Sequence, residues 1–141
     1  MTFDTAFADV IGACSASRKD AEGTWITPEM QRAYQQLHQL GIAHSVEAWR
    51  NEELAGGLYG IALGRVFFGE SMFYRQRDAS KVAFAHLIQA LLHWRYQLIN
   101  CQVRTEHLLS LGAEEINRSR FQRLLRKWCQ SQPSKNAWQK R

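Results

Sequence analysis

The sequence predicts a single α+β domain with a central, mostly antiparallel sheet flanked by helices. Alternating strand patterns fill residues 42–69, a long helical pattern starts at Asp78, and a short apolar strand pattern starts at Gln97. Strands followed by a helix, a further strand and a further helix are the element order of α+β proteins. With 141 residues and 45% apolar composition, the chain can bury one core but is too short for two ordinary domains. We therefore expect one domain over residues 1–141, in which residues 130–141 form an irregular basic tail.

Two helices are predicted in the first third of the chain. Apolar residues at helical spacing indicate a helix over residues 3–14, with Asp4 near its start. A second helix is predicted over residues 28–40, because Thr27 supplies a capping hydroxyl and a proline occupies the first helical position. Gly41 is the residue expected to end it.

The next segment predicts a meander of three strands. Residues 42–50 alternate in hydrophobicity and include β-branched and aromatic residues, and residues 51–53 form a plausible turn into a strand over 54–63. A third strand is expected over 65–69, across a turn at Gly64. The glycine content of the second strand indicates a bulge or a close approach of backbone.

The rest of the chain alternates helix and strand. A helix is predicted from Asp78 to about residue 96, with a buried face formed by apolar residues three and four positions apart. These are Val82, Ala85, Ile88, Leu91, Leu92 and Tyr96. A strand over 97–103 and short helices over 106–111 and 119–129 follow.

Charge divides the chain into two halves. Residues 1–64 carry 4 Lys and Arg against 8 Asp and Glu, whereas residues 65–141 carry 14 against 5. The second half therefore favours a polyanionic partner. A solvated basic surface without a partner is the alternative.

The cysteines and the apolar runs indicate the compartment. Cys14, Cys101 and Cys129 are widely spaced and form no CxxC pair, so we expect a reducing compartment. There is no apolar run of 18 residues and no basic segment typical of a signal peptide, so we expect a cytoplasmic protein without a membrane partner. The histidines lack convincing second ligands, so we expect no metal.

Polar residues interrupt two apolar, strand-like segments. Glu70 lies among glycines and large apolar residues in GGLYGIALGRVFFGESMF, and a carboxylate there needs donors as partners. Asn100 and Gln102 interrupt the apolar run LINCQV. We expect these polar side chains to converge on one pocket.

These two segments, together with GTWI at residues 23–26 and AHSVEAW at residues 43–49, resemble the bacterial leucyl/phenylalanyl-tRNA–protein transferases. The resemblance implies an acetyltransferase-like (GNAT-like) fold. It implies transfer of Leu or Phe, sometimes Met, from an aminoacyl-tRNA to the N-terminal α-amino group of a protein or peptide that begins with Arg or Lys. It implies no cofactor besides the donor. Members of the family carry an additional N-terminal domain that we expect this chain to lack, which leaves open a partner subunit in its place.

The resemblance also implies roles for individual residues. Glu70 would contact the donor's amino group and adenosine end, and Gln102 would orient the attacking amine. Asn100 occupies the position of a family aspartate, and an asparagine carries no charge and accepts no proton. Trp25 and Trp49 would stack on a base or line the groove. An apolar pocket would hold the donor side chain, formed by Leu58, Phe67, Met72, Phe84, Leu87, Leu91 and Ile99. Phosphates of tRNA would contact Arg75, Arg77, Lys81, Arg118, Arg120, Arg123, Arg126 and Lys127.

Each of these residues also has a structural interpretation. Glu70 would accept backbone N–H groups in a turn, the two amides would satisfy strand ends, and the apolar residues and tryptophans would be core. A tRNA-binding paralogue or a partner-dependent domain with little transfer activity is one functional alternative. A non-enzymatic basic binding module is another. A small-molecule N-acyltransferase that uses acyl-CoA is disfavoured, because residues 74–79 contain no glycine to cradle a pyrophosphate.

Overall fold

A computed structural model describes residues 1–17, 27–101, 116–133 and 137–138. They form a five-stranded sheet in the order β1-β2-β3-β4-β5. The elements are β1 (Thr2–Phe3), α1 (Phe7–Ser17), α2 (Pro28–Gln39), β2 (Ala43–Arg50), β3 (Glu53–Leu63), β4 (Val66–Tyr74), α3 (Ala79–His93), β5 (Leu98–Cys101) and α4 (Arg118–Trp128). β1 to β4 pair antiparallel and β5 pairs parallel with β4, which confirms the predicted α+β class and mostly antiparallel sheet.

Helices cover both faces of the sheet. On the α3 face, Val46, Leu58 and Phe67 belong to the same buried cluster as Leu87 of α3. On the α1 face, Tyr59 and its neighbours belong to a second cluster that includes the buried residues of α1 and against which α2 packs. The two clusters are the two halves of one core, separated by the sheet.

Local turn and cap chemistry explains the strand and helix ends. Asn51 and Glu52 both have positive φ, 52° and 66°, which gives the two-residue hairpin turn between β2 and β3. Thr27 Oγ1 accepts the backbone N–H of Met30, as predicted for the start of α2. Gly41, at φ 79°, ends that helix. β4 continues to Tyr74, so the third strand predicted over 65–69 is longer than expected.

The predicted helix over residues 3–14 is wrong at both ends. β1 pairs with β2, and α1 begins only at Phe7 and continues past Gly12 to Ser17. Asp4 does not start the helix. It has φ 55°, and its carboxylate accepts the N–H of Ser45 at 2.9 Å and contacts His44 Nδ1 at 2.7 Å. These bonds to β2 keep Asp4 out of a helix, although the sequence pattern favours one.

The predicted buried face of α3 is right for Leu91 and Tyr96, which are buried, and for Ile88, which packs against the core, but wrong for the other three residues. Val82 and Leu92 are 53% and 70% exposed, whereas Phe84, Leu87 and Leu91 are buried. The helix is apolar on two faces, and the face that packs on the sheet is the one that carries the Phe84 ring. Ala85, also predicted to be buried, is exposed. The helix ends at His93, before residue 96, and Arg95 at φ 66° follows it.

An aromatic cluster on the α3 face includes a residue near the end of the chain. The Trp138 ring stacks on the His44 ring at 4.1 Å and 5°, and Trp138 Nε1 donates to Tyr96 Oη at 3.0 Å. Its other ring contacts are with Phe3, Phe67 and Trp94. Through these contacts Trp138 packs against the core.

The remaining predicted elements have mixed outcomes. α4 confirms the helix predicted over 119–129. The end of the strand over 97–103 and the helix over 106–111 lie outside the described residues. Within the described ranges, none of the helices has the length and hydropathy needed to cross a bilayer.

Candidate functional site

A β-bulge places Glu70 at the junction of β3, β4 and β5. Tyr59 pairs with Ser71 and Gly60 pairs with Gly69, so Glu70 is the extra residue on β4. β5 pairs with β4 only as far as Gly69, opposite Cys101, and β4 continues for five more residues. The bulge therefore aims the Glu70 side chain differently from a regular strand residue, at the point where the described pairing of β5 ends.

Tyr34 of α2 donates a hydrogen bond to the Glu70 carboxylate. Burial, followed by the Glu70 charge and by that hydrogen bond, raises the pKa of Tyr34 to about 12. Tyr34 therefore stays protonated near neutral pH and remains a donor. Its ring packs edge-on against Tyr59 at 5.3 Å, which fixes it on the α1 face. Tyr34 is not among the site residues predicted from the sequence. The sequence feature that points to Tyr34 is its hydroxyl on the same face of α2 as the apolar Leu37.

The predicted amide residues lie on or after β5. Asn100 is half-buried and lies opposite Phe68 of β4. Gln102 follows Cys101 in sequence and lies outside the described residues. The convergence of Gln102 with Glu70 therefore stays a prediction.

The seven residues predicted for the apolar pocket lie together on the α3 face. Leu58, Phe67, Phe84, Leu87 and Leu91 are buried in one cluster, and Met72 and Ile99 pack against it. Tyr34, the partner of Glu70, packs against the other cluster. The structure thus gathers the apolar residues on one face of the sheet and joins Glu70 to a hydroxyl on the opposite face.

The two tryptophans considered for stacking have different outcomes. Trp25 lies outside the described residues. Trp49 is 36% exposed, and its Nε1 donates to Thr2 Oγ1 at 2.7 Å. Thr2 Oγ1 donates in turn to Glu47 Oε1, which also accepts the N–H of Thr5. Glu47 is fully buried, so this network connects an exposed indole to the interior.

One basic group lies beyond the end of β4. Arg75, Arg77 and Lys81 are all exposed. Arg77 and Lys81 lie 3.9 and 3.5 Å from the Asp78 carboxylate, and all three of these side chains are about half exposed or more. Such exposed pairs are weak, so the cations remain available to a phosphate.

A second basic group lies on α4. Its five members are exposed, and none of them forms an ion pair within the described ranges: Arg118, Arg120, Arg123, Arg126 and Lys127. α4 is anchored at its end by the β3–β4 turn, where the Arg65 N–H donates to Trp128 O at 2.8 Å. The two groups thus flank opposite ends of β4, whose nine residues span about 27 Å.

The site's chemistry favours an organic ligand with a positive group and an apolar side chain. A carboxylate accepts hydrogen bonds from an ammonium, and the apolar cluster on the other face of the sheet is suited to a hydrophobic side chain. Among the residues that the structure describes, there is no group of three metal-ligating side chains. Glu70, Tyr34 and Asn100 are the polar residues that the sheet brings near the end of β5.

Comparisons with known proteins identify a family whose members this chain resembles over nearly its whole length. The profile of the family described as leucyl/phenylalanyl-tRNA protein transferase matches residues 1–126. The transferase of that name from Desulfatibacillum aliphaticivorans is 55% identical over 139 residues, which are 98% of this chain and 60% of that protein. The one from Aromatoleum aromaticum is 57% identical over 96% of this chain and 57% of that protein. The chain thus spans about 60% of the length of the relatives it matches.

Structural comparison identifies the fold. An aminoglycoside acetyltransferase from an uncultured soil sample, in complex with sisomicin, superposes with a TM-score of 0.59 at 14% identity, over 79% of this chain and 83% of that one. A second aminoglycoside N-acetyltransferase, bound to a CoA bisubstrate analogue, gives 0.57 at 18% identity, over 84% and 95%. The predicted acetyltransferase-like fold is confirmed.

Proposed function

Because the chain belongs to the leucyl/phenylalanyl-tRNA protein transferase family, we propose that it transfers Leu, Phe or Met from an aminoacyl-tRNA to the N-terminal α-amino group of a protein or peptide. The acceptor begins with Arg or Lys. The observation that carries this proposal is the Glu70 carboxylate at the β4 bulge, which accepts from the Tyr34 hydroxyl on one face of the sheet, while the apolar cluster lies on the other face.

Glu70 binds the α-ammonium group of the donor amino acid. A hydrogen bond to a charged group is worth about 1.5–3 kcal/mol, which is more than a neutral pair supplies. A carboxylate accepts about four hydrogen bonds, so Glu70 can accept from Tyr34 and from a ligand at the same time. The donor ester is thereby placed beside β4, next to Asn100.

The apolar cluster receives the donor side chain. Met72 and Ile99 are its half-buried members nearest to the bulge and to the end of β5, and buried Phe67 and Leu87 lie behind them. One methylene changes binding in such a pocket by only about 1–3 kcal/mol. Leu, Phe and Met are therefore accepted together, whereas charged side chains are excluded by the cost of burying them.

The transfer step is the aminolysis of an activated ester. The attacking amine must be neutral and held against the ester carbonyl, and its proton must leave as the new amide forms. Gln102 orients the amine in this proposal. Asn100, near the end of β5, donates and accepts hydrogen bonds but takes up no proton. It therefore positions the reacting groups and does not act as a base.

The two basic groups hold the tRNA. Contacts to phosphates supply affinity and orientation without reading the sequence. The group around Arg75 lies beyond one end of β4, the end of α4 contacts the turn at its other end, and the strand between them is about 27 Å long. A folded RNA is long enough to contact both, with its aminoacylated end between them.

A second candidate function is tRNA binding without efficient transfer. The observation that favours it is Asn100, because an asparagine at this position removes a carboxylate next to the reacting groups. This candidate predicts tight binding of aminoacyl-tRNA and no peptide product.

The test is single-turnover transfer of labelled leucine from leucyl-tRNA to an arginine-starting peptide by the full chain. We expect product with the natural sequence, and a loss of donor affinity of about tenfold or more with Glu70→Gln. Glu53→Gln is the matched control, because Glu53 is an exposed carboxylate at the start of β3. Tight tRNA binding without product supports the second candidate, and equal effects of both substitutions contradict the role of Glu70.

A further inference from the structure

The Phe67 ring belongs both to the proposed donor pocket and to the aromatic cluster around Trp138. Phe67 lies opposite Ala62 of β3 and opposite Ile99 of β5, which is another pocket residue. Its side chain is fully buried, and its ring lies 5.6 Å from the Trp138 ring. The pocket and the tail of the chain are therefore connected through one side chain.

The Phe67 ring is packed tightly against the sheet. A Cβ atom added to Gly60 of β3 would lie 2.6 Å from Phe67 Cζ and 2.7 Å from Phe67 Cε1. The sheet blocks the ring on that side, and Trp138 contacts it from another. Because a buried ring in a close-packed core moves only where a neighbour gives way, loss of the indole would open a space for it.

Trp138 is itself fixed by contacts with several elements. Its ring stacks on His44 at 4.1 Å and 5°, and the Asp4 carboxylate contacts His44 Nδ1 at 2.7 Å. Trp138 Nε1 donates to Tyr96 Oη at 3.0 Å, and the Trp94 ring lies at 4.8 Å. A hydrogen bond and a stacked ring together define one orientation of an indole. Trp138 therefore forms a fixed support for Phe67.

The size of an apolar pocket decides which donor side chains it accepts. A pocket rejects a larger side chain only if its walls stay in place when that side chain enters. In the proposed pocket, the Phe67 ring is a wall and the Trp138 indole fills the space beside it. A donor larger than Phe would need that space.

We propose that Trp138 is a positioning residue that sets the size of the donor pocket through the Phe67 ring. This inference rests on the proposed transferase function, because it assigns the donor selectivity of that site. With the indole in place, the pocket has the size of Leu, Phe or Met. Without the indole, the Phe67 ring moves into the vacated space and a bulkier donor side chain fits.

The test is a competition between leucyl-tRNA and tryptophanyl-tRNA in transfer to an arginine-starting peptide by the full chain. We expect Trp138→Ala to raise the ratio of tryptophan product to leucine product by about tenfold or more, since one methylene already changes discrimination by about tenfold. Trp138→Phe keeps a ring beside Phe67 and should restore most of the natural ratio. An unchanged ratio in Trp138→Ala, with both products reduced alike, refutes the inference.

Ile11→Ala is the matched control for loss of stability. Ile11 is fully buried in the cluster on the α1 face, so its truncation should lower the melting temperature as Trp138→Ala does, and the product ratio should stay natural. An equal shift of the ratio in Ile11→Ala would refute the role of Trp138. If Trp138→Ala does not fold, Trp138→Leu fills part of the space and should shift the ratio several-fold, and an unchanged ratio there refutes the inference.

A binding measurement separates this inference from the proposed function. Amide analogues of leucyl-adenosine and tryptophanyl-adenosine cannot transfer their amino acid, and calorimetry gives their affinities. If the affinity ratio shifts in Trp138→Ala but the natural chain makes no product, the inference stands and the proposed transfer fails. If the natural chain makes product and neither ratio shifts, the inference fails and the transferase function stands. If the natural chain binds neither analogue, the pocket and the inference both fail.

Discussion

Gly64 in the β3–β4 turn holds α4 against the sheet, and replacing it by alanine should release that helix. Gly64 has φ 58°, a conformation that costs an L-residue about 1–2 kcal/mol. An added Cβ would also overlap the backbone carbonyl of Cys129 and lie 2.5 Å from Trp128 O. These are backbone atoms at the end of α4, so the turn and the helix must move apart.

Two terms contribute to the expected cost of Gly64→Ala. Overpacking of a tight contact costs about 1–3 kcal/mol, so the total is about 2–5 kcal/mol with the backbone term. The separation of α4 from the turn also breaks the bond from Arg65 N to Trp128 O. For a chain of this size, a fall in melting temperature of about 6–15 °C follows.

Two other glycines provide matched controls. Gly41 also has a positive φ, 79°, but nothing lies within 4 Å of an added Cβ, so Gly41→Ala should cost only the backbone term. Gly12 lies inside α1 with open space around it, and Gly12→Ala should stabilise the chain by about 0.5–1 kcal/mol.

The assays are thermal unfolding and hydrogen exchange of the amides of α4. We expect melting temperatures to fall in the order Gly12→Ala, natural chain, Gly41→Ala, Gly64→Ala, with faster exchange in α4 only for the last. Equal melting temperatures for the Gly41 and Gly64 variants would refute the contact between the turn and α4.

Three further predictions concern the site. Asn100→Asp should raise the single-turnover rate by tenfold or more, because a carboxylate stabilises positive charge on the attacking amine and a general base contributes about 10²–10⁴-fold. If Asn100→Asp brings no gain and Gln102→Ala is as fast as the natural chain, transfer does not occur at this site. Arg123→Glu with Arg126→Glu should weaken tRNA binding and reduce the log–log salt slope by about two, and an unchanged slope would leave α4 as a solvated surface. Tyr34→Phe tests the raised pKa of Tyr34, which is about 12 in the folded chain against the ordinary 10.0. Protonated Tyr34 therefore contributes fully to stability below pH 10, and this contribution is lost as the pH rises from 10 to 12. Because solvent screens this half-buried group, the free energy of unfolding should fall by only about 1 kcal/mol over this pH range. Urea unfolding should show this fall for the natural chain and not for Tyr34→Phe.

Elements with strong local signals were predictable from the sequence. The cap at Thr27, the glycine at residue 41 and the two-residue turn at Asn51 each specify a backbone conformation through nearby atoms. The meander and the start of α3 follow from such signals. Glu70 drew attention because a carboxylate in an apolar strand requires a partner, whereas the apolar pocket residues were implied by the family resemblance.

Features decided by contacts far apart in sequence were not predictable. The orientation of α3 depends on whether the sheet accepts the face with Phe84 or the face with Val82, and the helix is apolar on both. Asp4 is not helical because its carboxylate accepts the N–H of Ser45 on β2, which is 41 residues away in sequence. Tyr34 bonds to Glu70 only when α2 is packed on the sheet, and no spacing along the sequence indicates that pairing.

The position of Trp138 has a consequence for the synthesis of the protein. Its ring contacts Phe3 at 5.7 Å, although the two residues are separated by nearly the whole chain, and it also covers His44 and Trp94. A ribosome releases residues in order from the N-terminus, so the aromatic cluster stays open to water until Trp138 has left the exit tunnel. The nascent chain therefore cannot complete this aromatic cluster before Trp138 has emerged, and the exposed rings are what a chaperone would recognise during that interval.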